Sequence, residues 1–148
     1  MRPSTLLVLA WIAACLCACG APAVPAPGTP QAFAFACTKP NEGQLIAVEG
    51  YLRLPAALDS TKSVMLRLYP DPSLKGRPIG VEMPFGDGAN EARRINSSYR
   101  DNDLKVRLAN GTVVPFGTRV RVSGRMYIPV QPQIYECALQ DPYVEAAK

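Results

Sequence analysis

The chain predicts an all-β domain, and three observations carry that expectation. From Gln44 onward the apolar residues recur with a period of two rather than 3.6. Clusters of Pro, Gly, Asn and Asp separate one apolar run from the next. Gly50 and Gly124 stand inside two otherwise strong strand patterns, where a small closed barrel needs bulges or sharp bends. The expected architecture is a small β-barrel of about six short strands with at most one short helix.

The elements follow in order. Ile46, Val48, Gly50, Leu52 and Leu54 alternate with Ala47, Glu49, Tyr51 and Arg53 until Pro55 ends the strand. Val64, Leu66 and Leu68 alternate with Met65, Arg67 and Tyr69 as far as Pro70. Ile79, Val81, Met83 and Phe85 form a third run, and Pro84 within it predicts an edge strand. Asn90 to Ile95 reads as one or two helical turns after the Gly86-Asp87-Gly88 break. Leu104, Val106 and Leu108 precede Asn110-Gly111, a pair tolerant of positive φ that predicts a two-residue primed turn back into Thr112–Phe116. Val120, Val122, Gly124, Met126 and Ile128 make a long strand, and a last one is expected over Ile134–Gln140.

Three stretches resemble OB-fold domains. They are Ile46-Ala47-Val48-Glu49-Gly50-Tyr51-Leu52, then Val106 to Gly111 with Phe116 to Arg125, then Leu139 to Glu145. In that family a glycine before a V-x-V-x-G strand opens a long barrel strand, and a final strand ends in an acidic tail. The resemblance implies an OB-like barrel and names no ligand, because exported bacterial OB-fold proteins include some whose ligands are not nucleic acids.

The N-terminus carries the most explicit signal. Arg2 precedes a short apolar stretch, Leu6 to Ile12, and Ala13-Ala14-Cys15-Leu16-Cys17-Ala18-Cys19 follows it. The stretch is too short to span a bilayer and reads as an export signal. It resembles the lipobox of bacterial lipoprotein precursors, which implies a lipidated (palmitate-bearing) cysteine as the mature N-terminus. Cys19 is the expected lipidation site. Cys15 is the alternative, with Ile12-Ala13-Ala14 before it, and an ordinary secretory cut after Ala21-Pro22-Ala23 is the reading without lipid. The organisation is then a signal peptide over 1–18, a Pro/Ala-rich tether over 19–36 and the barrel domain over 37–148. Gly20 rather than Asp after the lipid site implies, by resemblance to enteric sorting, an outer-membrane lipoprotein facing the periplasm.

Without the signal about 130 residues remain, enough for one domain. Removing Arg2 leaves 15 Lys+Arg against 12 Asp+Glu, a mild net charge of +3 that implies no nucleic acid. Cys37 and Cys137 stand near the two ends of the folded region in an oxidising compartment and are expected to form a disulfide. The alternative is two buried free thiols. Two distant cysteines and no histidine make no metal-ligand spacing, so neither a metal nor a cofactor is expected.

Candidate binding residues come from charge. Arg93 to Arg125 contains eight cations, against Asp101 and Asp103 alone. Lys105 and Arg107 share one strand face by period two, as do Arg119, Arg121 and Arg125 with Tyr127 beside them. Were those strands neighbours, they would form one cationic stripe for an acidic partner or an anionic surface. The competing reading is a solvated face with Glu49, Glu82 or Glu136 as counter-ions. Tyr51, Tyr69 and Tyr127 fall on the outward register, either as stacking groups or as caps of the barrel ends. Catalytic groups are thin: no histidine serves as base, no nucleophile elbow or phosphate loop appears, and Asp87 with Glu91 is better read as an acidic turn than as a hydrolase pair. The expectation is therefore a non-enzymatic lipoprotein, held to the bilayer by its acyl anchor, that binds an envelope protein or anionic envelope component. A structural β-sandwich subunit of an envelope complex is the alternative, and a hydrolase a distant third.

Overall fold

The computed structural model describes residues 25–130 and 134–148. Residues 1–18, read above as an export signal, and Cys19 lie outside the described residues. Among the described residues, nine strands follow in chain order: β1 (Thr29–Pro30), β2 (Leu45–Arg53), β3 (Ser63–Tyr69), β4 (Ile79–Pro84), β5 (Glu91–Ala92), β6 (Lys105–Arg107), β7 (Val113–Pro115), β8 (Arg119–Tyr127) and β9 (Ala138–Ala146). One short helix, α1 (Phe33–Ala36), accompanies them, with single 3₁₀ turns at Lys39–Asn41 and Asp101–Asp103.

Five strands close into a barrel in the order β2–β3–β4–β9–β8, and β8 pairs back onto β2. Every pairing around the ring is antiparallel except β4 with β9. This closed five-strand barrel is compatible with an OB-like fold and is not a sandwich of two sheets. Alternation puts Val48, Leu66, Val81, Val122 and Leu139 inside, all fully buried in one hydrophobic cluster.

Both internal glycines sit at corners. Strand β2 pairs with β8 over Leu45–Tyr51 and with β3 over Tyr51–Arg53. Gly50 marks that handover, and a Cβ there would overlap the carbonyl oxygen of Tyr69. Gly124 lies where the β8–β9 register shifts between Ser123 and Arg125, and a Cβ there would stand 2.8 Å from the Gln140 carbonyl oxygen. The opposing Asp141 and Pro142 fall outside the paired positions, so the missing proline N–H costs no ladder bond. The last strand therefore runs to Ala146 instead of ending at Gln140.

A second sheet, β5–β6–β7, fills the long connection between β4 and β8. Its inner residues Ala92, Val106 and Val114 join the barrel's hydrophobic cluster. No helical turn forms over Asn90–Ile95: burying Ala92 and pairing Glu91 with Arg107 makes Glu91–Ala92 a strand instead. The Asn110-Gly111 turn also differs from expectation. Gly111 N–H donates to the Leu108 carbonyl, Leu108 N–H to that of Thr112, and only Gly111 takes a positive φ. That is a three-residue loop with a glycine bulge rather than a two-residue primed turn. Pro84 does not mark an edge, because β4 lies between β3 and β9 and the proline is its last residue, beyond the positions paired with β9.

Part of the proline-rich segment is built into the fold. Strand β1 pairs in parallel with Ile46 and Ala47, Gln31 N–H donates to the Ala47 carbonyl, and Ala36 is fully buried. Residues 29–36 thus belong to the folded unit. A disulfide joins Cys37 to Cys137 across 100 residues of sequence.

Candidate functional site

The expected cationic stripe is divided between two places. Strand β8 carries Arg119, Arg121, Arg125 and Tyr127 on the barrel, whereas Lys105 and Arg107 lie on β6, whose neighbours are β5 and β7. The two strands never pair, so the topology does not assemble the six residues into one face.

On the barrel, Arg119 and Arg121 are neutralised. Glu49 on β2 lies opposite Arg121 in register. Its carboxylate accepts from Arg121 at 2.6 Å and from Arg119 at 3.1 Å, and Arg121 also reaches Glu145 on β9 at 3.2 Å. The hydrogen bond from Arg121 holds the Glu49 carboxyl below its ordinary pKa, and the same bond raises that of the arginine. Arg125 donates to the Gly43 carbonyl at 2.8 Å. Burial pushes the Tyr127 hydroxyl up, with the nearby Glu82 and Tyr135 adding to the effect. Tyr69, on the outward register, is buried at 5% exposure and presents no stacking face.

On the small sheet the cations form no ion pair. Alternation turns Glu91, Lys105, Arg107 and Val113 away from the core. Arg93 follows β5, its N–H donating to the Lys105 carbonyl. Arg93, Lys105 and Arg107 line one shallow hollow of about 200 Å³ with Asp87 and Glu91. Glu91 lies opposite Arg107 in register, yet the two do not pair. The Glu91 carboxylate accepts from the Gly88 N–H at 2.6 Å, and Arg107 donates to the Gly111 carbonyl at 2.9 Å. Among the described residues, the ion pairs found are Lys39–Glu42, Arg53–Asp101 and those of Arg119 and Arg121, and none involves Arg93, Lys105 or Arg107. Their side chains keep donors available for an incoming carboxylate or phosphate.

The strand-period reading missed a groove of about 890 Å³. One wall is the β2–β3 loop, Ala56 to Lys62; the other is the segment after β5, including Arg94, Ile95, Ser97 and Tyr99. Leu58, Phe85, Ile95 and Tyr99 form its floor, each packed against the core. Two contacts hold the walls together: Arg94 donates to the Thr61 carbonyl at 3.1 Å, and the Tyr99 hydroxyl to the Pro55 carbonyl at 2.7 Å. Irregular segments have no periodicity, so only the apolar residues scattered through these two loops hinted at it.

Among the described residues, no group of three or more His, Cys, Asp or Glu side chains is placed to hold a metal ion. Comparison of the chain with protein-family models, with curated proteins and with solved structures returns no match. The functional reading therefore stands on geometry and sequence alone.

Proposed function

We propose that this chain is an exported lipoprotein, acylated at Cys19, whose barrel is a non-catalytic module that binds an acidic partner protein or anionic component of the cell envelope. The lipobox-like run ending at Cys19 supports the anchor. Two or three acyl chains, at ~0.8 kcal/mol per buried methylene, hold stably where one does not. Placement at the outer membrane, facing the periplasm, rests on Gly20.

The observation that carries the binding role is the set of unpaired cations Arg93, Lys105 and Arg107 on the outer face of the small sheet. Their backbone is fixed by pairing on both sides of β6, so the charges are presented by a rigid element. Buried Ala92 and Val106 tie that element to the barrel core. Arg119 and Arg121, already committed to Glu49 and Glu145, serve the barrel rather than a partner.

Two measurements test this separately. For the anchor, Cys19→Ala should remove acyl mass from the purified protein and abolish globomycin-sensitive maturation, whereas unchanged acylation in that variant moves the site to Cys15. For the binding role, Arg93→Glu with Lys105→Glu should abolish in-cell crosslinking to the partner that the wild type captures, with the disulfide and melting temperature retained. Capture that survives this reversal reduces the patch to solvated surface.

A further inference from the structure

The groove between the β2–β3 loop and the Arg94–Tyr99 segment carries an inference independent of the anchor and of the small-sheet cations. We propose that it binds a single-chain amphiphile with a carboxylate head, a free fatty acid. The floor is apolar: Leu58, Phe85, Ile95 and Tyr99 are partly exposed there while packing on the core behind. A volume of about 890 Å³ falls in the range of small-molecule sites. Lys62 and Arg94 stand at the rim, and neither takes part in the ion pairs found among the described residues. Asp59 is the one carboxylate lining the groove, which leaves a net charge of +1. That balance matches a monoanionic head better than a dianionic phosphate.

The walls argue against a peptide. Residues 55–61 and 93–99 lie outside the strands, so no strand edge borders the groove to extend a ladder along a bound chain. An acyl chain needs no backbone partner; it needs apolar contact along its length and one anchored end. Arg94 supplies that end from a fixed position, because one of its nitrogens already holds the Thr61 carbonyl.

The test is photo-crosslinking of the purified full-length protein with a diazirine-bearing palmitate, followed by peptide mapping. The expected result is crosslinking concentrated on peptides containing Leu58 and Ile95. Arg94→Gln with Lys62→Gln should lower the yield about tenfold, while the methyl ester of the probe labels wild type and variant equally and weakly. Ile95→Asp should abolish the signal; if that variant fails to fold, Lys62→Gln alone, exposed and outside the wall contacts, should still lower the yield. Labelling spread evenly over the surface, or a yield unmoved by the rim substitutions, overturns the proposal. A diazirine lysophospholipid that labels the same peptides more efficiently than the palmitate overturns the choice of head group. None of these outcomes depends on whether Cys19 is acylated.

Discussion

Glu49 and Arg121 face each other across the β2–β8 seam that closes the barrel, with Oε1 and Nη2 2.6 Å apart. Their contact sits where the sheet meets itself, and Glu49 also holds Arg119 while Arg121 also holds Glu145. The carboxylate thus staples β2 to β8, and Arg121 extends the network to β9. Glu49→Gln is expected to lower the melting temperature at neutral pH by roughly 2–4 °C, the modest effect of a partly exposed network in a domain of this size. The sign of the pH dependence follows from the depressed carboxyl pKa. Stability from a depressed carboxylate is fully present above its unfolded value and is lost as pH falls through the folded value. The wild-type advantage should therefore be intact at pH 7 and shrink below about pH 4.5. Calorimetry of both proteins at pH 7 and pH 3 decides it, and a gap that persists unchanged at pH 3 removes the carboxylate as its source.

The disulfide ties the segment before β2 to the start of β9. Closing a loop of 100 residues restricts the unfolded chain strongly. Cys37→Ser with Cys137→Ser is expected to cost about 2–4 kcal/mol. Urea unfolding with and without reductant should reproduce that difference in the wild type and show none in the double variant. A wild-type midpoint insensitive to reductant would mean that the bond does not form in the mature protein.

Most of the barrel was legible because it is built from local alternation. The runs at Ile46, Val64, Ile79 and Val120 became β2, β3, β4 and β8 within a residue or two. What failed was non-local. Alternation alone ended the last strand at Gln140, and the facing irregularity at Gly124 lets β9 continue through Asp141-Pro142. Asn90 to Ile95 is too short and polar for its state to be set by its own residues; Val106 across the sheet decides it. The site suffered likewise. Period two placed Arg119 with Arg121 and Lys105 with Arg107, but which strands adjoin is a matter of topology, and the neutralising role of Glu49 depends on a pairing 72 residues away in sequence.

Two glycine substitutions should separate close approach from backbone strain. Gly50→Ala puts a methyl group into the Tyr69 carbonyl oxygen at the barrel corner, where backbone cannot move without disturbing the β2–β3 pairing. It is expected to cost more than about 3 kcal/mol or to prevent folding. Gly43→Ala meets nothing within 4 Å and is strained only by its φ of +78°. It should cost about 1 kcal/mol. Equal losses for the two in denaturant unfolding would show that the corner relaxes and that Gly50 is not sterically required.

The small sheet and the barrel share one core, so they should unfold together. Leu104 and Leu108, flanking β6, are each 2% exposed and belong to the same cluster as Leu66 of β3. Truncating a buried leucine costs about 2–5 kcal/mol, through the lost transfer energy and the cavity left behind. If the sheet were an appendage, Leu108→Ala would loosen only residues 91–115 and leave barrel amides protected. Because the cluster is continuous, Leu108→Ala and Leu66→Ala should instead lower protection across both sheets by similar amounts, in a single cooperative transition. Hydrogen exchange read at β3 and at β6 in both variants distinguishes the cases. Loss confined to β6 in Leu108→Ala would divide the domain into two cooperative units, and the cations of Arg93, Lys105 and Arg107 would then ride on a part able to open independently of the barrel.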